Sequence, residues 1–246
     1  MDYSKRAREV LDIEIEGMKE ARKGLDRNFD RGVGILLDCL ARGGKIVVTG
    51  VGKNYHVAQK VAATLLSTGS SAAVLNPTQA MHGDLGLLSK GDVLLALSYS
   101  GESEEILTLI PMIKRAGLRI VALTGKRDSN LARHSDAAIC AAVGREACPF
   151  NMAPTASTTA AMAVGDAIAM VLLEARGFRK EDYAKLHPGG AIGRTLLLRV
   201  SDIMRTGERV AVVRKSATVR DAIFAMTRAR SGSAAVVGPG NRLDGI

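Results

Sequence analysis

Val93-Leu94-Leu95-Ala96-Leu97-Ser98-Tyr99-Ser100-Gly101-Glu102-Ser103-Glu104-Glu105-Ile106 is the stretch that decides the fold. Its opening five residues are all apolar and follow Lys90-Gly91-Asp92. A run that short reads as a strand buried on both faces, as in a parallel sheet. Ser98, Ser100 and Ser103 then surround Gly101, after which Ile106, Leu107, Leu109, Ile110 and Ile113 recur at helical spacing. A serine-rich turn therefore joins the carboxyl end of a strand to the start of a helix. Free backbone N–H groups and the positive end of the helix dipole meet there, and hydroxyls add donors, so the turn suits a phosphate. Helix capping would account for Ser103 alone and leave the other two serines without a purpose.

Upstream, Lys45–Thr49 reads as a strand, Gly50-Val51-Gly52-Lys53-Asn54 as a tight turn into a helix through Leu66, and Ser71–Leu75 as a second strand. Downstream come a helix over 103–116, the strand Arg119–Thr124, a loop and short helix with a surface His134, and the strand Ala137–Ala141. This alternation predicts an α/β fold, a three-layer αβα sandwich around a five-stranded parallel sheet. Ligands of such sheets sit beyond the carboxyl ends of the strands. Lys53, the serine turn and the loop Gly144–Thr159 with Glu146 all fall at that edge. The glycines at 50 and 52 are half of a dinucleotide fingerprint, without its third glycine or its acidic residue, so no cofactor is expected. His82 lies in a loop among short residues, which argues against a core role.

Residues 4–42 have helical spacing weakened by Gly24, Gly32 and Gly34, which predicts a bend or two helices. A helix over 155–176 carries Ala156, Ala160, Ala163, Gly165, Ala167 and Ala169, which predicts close helix contact and a subunit interface. Asp166 in its middle argues against a membrane span. With 47% apolar residues but only 3% aromatic, the core must be aliphatic. The net charge of +9 is scattered, so it suits anionic small molecules better than nucleic acid. Cys39, Cys140 and Cys148 have no metal-ligand spacing and follow a charged N-terminus, so they are expected to be free thiols in the cytoplasm. Beyond Val200 the pattern predicts a strand at Val210–Val213, a helix from near Thr218 and a strand at Ala234–Val237. That last strand lacks a partner or cap, and the chain stops within an element at Asn241–Ile246, so a C-terminal truncation is expected.

The blocks Gly50-Val51-Gly52-Lys53, Met81-His82-Gly83-Asp84-Leu85-Gly86, the serine turn and Arg145-Glu146-Ala147-Cys148-Pro149 together resemble a sugar isomerase (SIS) domain. With Ala153-Pro154-Thr155, His187-Pro188-Gly189-Gly190-Ala191 and Val200-Ser201-Asp202-Ile203-Met204, nearly the whole chain resembles the arabinose-5-phosphate isomerase family, an SIS domain followed by paired CBS modules. The resemblance implies a helical leader at 1–44, an SIS domain at 45–199 and a partial CBS module at 200–246. It implies catalytic roles for Lys53, Glu105, Glu146 and His187, and substrate contacts from Gly69, Ser70, His82, Ser98, Ser100, Ser103 and Asn54. Asn54 stands where the family usually has serine, and an amide can still donate to phosphate. Asn76 stands where several members have a metal-associated histidine, so no metal site is expected.

The implied reaction interconverts D-ribulose 5-phosphate and D-arabinose 5-phosphate through a cis-enediol and supplies the eight-carbon acid sugar of lipopolysaccharide. Its base would be a carboxylate whose pKa burial raises toward neutrality, Glu146 in preference to Glu105. Lys53 would stabilise the enediolate and His187 would open the sugar ring. A homotetramer is expected, and a nucleotide effector would need the complete CBS pair. The alternatives are an isomerase of seven-carbon ketose phosphates and a non-catalytic sugar-phosphate-sensing regulator. The regulator would need a DNA-binding domain for which residues 1–44 are too few, and an amide-transferring synthase would need a glutaminase domain.

Overall fold

Two strands set the frame because every residue in them is apolar or small and none reaches water. The computed structural model, which describes residues 1–187 and 199–246, buries β1 (Ile46–Gly50) and β3 (Val93–Leu97) throughout. With β2 (Ala72–Leu75), β4 (Arg119–Thr124) and β5 (Ala137–Cys140) they form one parallel sheet in the order β2-β1-β3-β4-β5. Side chains alternate across a strand, so β3 sends Val93, Leu95 and Leu97 to one face and Leu94 and Ala96 to the other.

On the first face lie α2 (Arg27–Ala41), α3 (Lys53–Ser67) and α7 (Ala156–Ala175), with α1 (Tyr3–Lys23) against α7. On the second lie α4 (Pro77–Ala80), α5 (Glu104–Arg115) and the short α6 (Asn130–His134). The expected break in the N-terminal helix falls at Gly24–Asp26, where Asp26 caps α2 by accepting from the Asn28 N–H at 2.8 Å. The helical residues 1–44 pack as α1 and α2 within the first compact unit, Met1–His187.

Of the small residues of α7, Ala156, Ala160, Gly165 and Ala169 are buried inside this unit, where α7 packs on α1 and α3, whereas Ala163 is exposed and Ala167 half-buried. At Gly165 an added methyl would collide with Val61 of α3, so only glycine permits that approach. The outward side of α7 shows Met162, Met170 and Val171 together with Ala163. Among the described residues α7 is the one helix long and apolar enough to cross a membrane, yet half of that stretch is buried in the unit.

The unit ends with α8 (Lys180–Leu186) and His187. Residues 188–194 of the glycine-rich block after His187 lie outside the described residues. The second unit, Pro188–Ile246, contains α9 (Val200–Ile203), β6 (Val212–Arg214), α10 (Val219–Ala229), β7 (Ala235–Val237) and β8 (Leu243–Gly245). Thr218 and Asp221 form a reciprocal capping box at the start of α10. Contrary to expectation, the strand at 235–237 has partners on both sides, β6 in parallel and β8 antiparallel.

Leu95 is fully buried in the middle of the central strand. Leu95→Ala should lower the unfolding free energy of the first unit by about 2–5 kcal/mol, measurable by urea denaturation; a loss below about 1 kcal/mol would mean that the sheet is not the core.

Candidate active site

Three turns meet at the carboxyl edge of the sheet. The first follows β1. Gly52 has φ +57°, a conformation side chains resist, and a methyl on Gly50 would lie 2.6 Å from the Asn54 carbonyl oxygen. Those two glycines bring Lys53 to the first turn of α3, with its side chain exposed, and set Asn54 beside it.

The second turn follows β3. Ser98 is buried, and its hydroxyl accepts from the Gly101 N–H at 3.1 Å and lies 2.9 Å from the Ser103 hydroxyl. Ser103 occupies the N-cap position of α5 but makes no side-chain cap bond, so capping does not explain it. Ser100 is exposed, and its oxygen accepts from the Glu102 N–H. Glu102 closes the turn from outside, accepting from both the backbone and the side-chain amide of Asn130. Those bonds, the backbone N–H first, hold its carboxyl below the usual glutamate range.

The third turn is the loop from Val143 to Thr155. Glu146 Oε2 accepts from the Thr155 N–H at 2.8 Å, the Thr155 hydroxyl at 3.0 Å and the Ser157 N–H at 3.2 Å. The carboxylate thus caps α7 from outside the helix, where the dipole favours negative charge. Oε1 accepts nothing from the described residues. Burial is the largest influence on this carboxyl and opposes ionisation. Hydrogen bonds from Ser157 and Thr155 together outweigh it and hold the group below its ordinary value. The expectation that burial would raise Glu146 toward neutrality is therefore overturned.

Between the three turns lies a cleft of about 470 Å³. Lys53, Asn54, Tyr99, Arg145, Glu146 and Thr158 are among its lining residues. Of the sequence-derived catalytic candidates, only Lys53 and Glu146 line it. Glu105 is exposed in the first turn of α5. His187 ends α8, its ring stacked on Tyr183 at 4.1 Å and its Nδ1 3.0 Å from the Tyr183 carbonyl oxygen. His82 is exposed just after α4.

Gly69 and Ser70 precede β2, at the amino edge of the sheet, away from the cleft. Ser70 is buried and its hydroxyl accepts from Arg176 at 3.0 Å. The Asn76 side chain accepts from the Thr78 and Gln79 N–H groups, capping α4. Among the described residues no group of three or more His, Cys, Asp or Glu is placed to hold a metal. All three cysteines are free, and Cys148, in the Glu146 loop, is held below the usual thiol range, first by the Ala153 N–H.

Sequence reading passed over Tyr99, Asn151 and Thr155 as functional positions. Asn151 has φ +52° and accepts from the Glu146 N–H at 2.7 Å, so it shapes the loop. Asparagine after Pro149-Phe150 is a turn signal that marked it. The contact of Tyr99 with Val143 joins residues 44 apart in sequence, and that of Thr155 with Glu146 spans nine, so neither has a periodicity that marks it. The N-terminal helix also serves the loop: Arg6 donates to the Ala147 carbonyl oxygen at 2.8 Å, and Glu20 accepts from the Gly144 N–H.

The SIS domain model matches residues 40–171. The arabinose 5-phosphate isomerase KdsD of Salmonella typhi is 46% identical over 245 residues, which cover the whole of this chain and 74% of that protein. The protein of the same name in Pseudomonas aeruginosa is 43% identical over 246 residues, with the same coverage. The solved structure of E. coli CFT073 c3406 in complex with arabinose 5-phosphate is 34% identical, with a TM-score of 0.72 over 76% of this chain and all of that one.

Thr155→Val removes one donor from Glu146 Oε2. The Glu146 carboxyl should then titrate higher than in the wild type by 13C NMR. Because its folded pKa is depressed, its contribution to stability exists above the unfolded pKa and fades as pH falls; the variant should lose less on acidification. An unchanged titration would show that these hydrogen bonds do not set the charge.

Proposed function

From the premise that this chain belongs to the SIS-domain arabinose 5-phosphate isomerases, a family of sugar-phosphate isomerases, we propose that it interconverts D-ribulose 5-phosphate and D-arabinose 5-phosphate. The observation that carries this reading is the meeting of Lys53 and Glu146 in one cleft beside the serine turn. In the proposal the phosphate docks on the free N–H groups and hydroxyls of residues 98–103, and Asn54 donates from across the cleft. Glu146 takes the proton beside the carbonyl and returns it to the neighbouring carbon, giving a cis-enediol on the way. Oε1, free of donors among the described residues, is the atom placed for this, and bound substrate that excludes water would raise its basicity. Lys53 offsets the charge that develops on the enediolate oxygen.

Glu146 is preferred over Glu105 because it lines the cleft, whereas Glu105 sits in the first turn of α5 outside that lining. His187 retains its assignment to ring opening and His82 its assignment to substrate contact; Gly69 and Ser70, which lie away from this cleft, would meet substrate only in a site shared with another copy of the chain. With Glu105 and His187 outside this cleft's lining, the complete site in this reading includes a second copy of the chain. The exposed Met162, Met170 and Val171 on α7 and Leu66 on α3 support an assembly, which we take to be the tetramer. The reading further includes a cytoplasmic location, supply of the lipopolysaccharide acid sugar, an SIS body through residue 199, and a partial CBS module over 200–246. Parallel β6 and β7 joined by α10 support the last point.

Incubation with ribulose 5-phosphate in heavy water, followed by proton NMR, should yield arabinose 5-phosphate carrying solvent deuterium. Glu146→Gln and His187→Ala should each lower turnover at least about a hundredfold with folding retained. Absence of product from the wild type would refute the substrate, and near-normal turnover in either variant would remove that residue from the mechanism.

Deleting residues 200–246 should leave the oligomer intact by light scattering; a monomer would place the interface in the second unit instead.

A further inference from the structure

Tyr99 stands between Ser98 and Ser100 in the phosphate turn, yet its side chain is committed elsewhere. Its hydroxyl donates to the Val143 carbonyl oxygen at 3.0 Å and accepts from the Val143 N–H at 3.2 Å. One phenol thus grips both backbone polar groups of the residue where the chain leaves β5 for the Glu146 loop. One edge of the ring is held against backbone. A methyl on Gly125 would collide with Tyr99 Cε2, so the ring lies flush on the backbone after β4. The Tyr99 carbonyl oxygen accepts from the Gly125 N–H at 2.9 Å and from the Thr124 hydroxyl at 3.2 Å. Tyr99 also lines the cleft beside Lys53 and Glu146.

We propose that Tyr99 is a positioning residue that ties the phosphate-binding turn to the Glu146 loop, so that docking of the phosphate sets the carboxylate against the reacting carbons. The proton of its hydroxyl is already given to Val143, so Tyr99 does not act as an acid toward substrate. Val143 lies three residues before Glu146, and Asn151 and Thr155 hold the loop beyond it. A shift at Val143 therefore reaches the carboxylate and leaves Ser98, Ser100 and Ser103 in place. Misplacement of a reacting group by about an ångström costs on the order of a hundredfold in rate, so the coupling is large enough to measure.

This inference rests on the isomerase reading above, and its test separates the two. Tyr99→Phe keeps the ring against Gly125 and removes both hydrogen bonds. It should lower kcat for ribulose 5-phosphate about tenfold to a hundredfold, while KM and competitive inhibition by inorganic phosphate stay within about twofold. In a Glu146→Gln background the same change should cost nothing further, because the group it positions is gone. Independently of turnover, inorganic phosphate should increase hydrogen-exchange protection of residues 143–151 in the wild type but not in Tyr99→Phe. A wild type without turnover would sink the isomerase reading, and the exchange experiment would still judge the coupling. Equal protection in both proteins, an unchanged kcat, or a full additive loss in the Glu146→Gln background would each overturn the role of Tyr99.

Discussion

The site depends on the chain leaving β1 toward one face of the sheet and β3 toward the other. Helix α3, after β1, packs with Leu95 and Leu97, whereas α5, after β3, packs with Leu94 and Ala96. Because β1 and β3 are neighbours, the two turns above them diverge and no helix fills the space between. That reversal is the switch point at which parallel sheets hold ligands. It sets the Lys53 turn opposite the serine turn. The constraint is topological, and it is enforced by burial of the whole of both strands.

The charge of Glu146 follows from where the third turn ends. Loop and helix meet at Thr155, and the first N–H groups of α7 have no partner within the helix. A carboxylate delivered from nine residues earlier satisfies them, and the helix dipole adds to the attraction. Desolvation alone would have made this group a weak acid; the donors reverse the sign. A carboxylate held charged in this way is well oriented and only modestly basic. Its catalytic value in the proposed reaction lies in geometry and in the exclusion of water by substrate more than in a shifted resting pKa.

Helix α1, which the chain makes before any strand, closes the same loop from behind. Arg6 and Glu20 each bind backbone groups of residues 144–147, and Glu14 accepts from the Thr159 hydroxyl at 3.2 Å. Gly17 lets α1 lie close enough, since a methyl there would be 3.1 Å from Val143 and 3.3 Å from Ala156. The loop carrying Glu146 is therefore held by α1, by Tyr99 and by the start of α7, three elements remote from one another in sequence.

What the sequence determined by itself was everything governed by local periodicity and turn chemistry. The five strands, their order along the chain and the parallel sheet were legible because short apolar runs alternated with helical spacing. The glycine turn at 50–52 and the serine turn at 98–103 were legible because special backbone geometry demands special residues. Motif likeness also singled out Lys53 and Glu146, which the fold brings into one cleft. Only the tertiary structure decided what depends on partners distant in the chain. It packed four of the small residues of α7, Ala156, Ala160, Gly165 and Ala169, inside one copy where α7 meets α1 and α3, because an alanine stripe permits close approach without naming the helix that approaches. It drew residues 1–44 into the first unit for the same reason. It left Glu105 and His187 outside the cleft lined by Lys53 and Glu146. And it lowered the Glu146 pKa where burial alone predicts a rise, because hydrogen-bond donors nine and eleven residues away outweigh desolvation, and such donors have no periodicity to read.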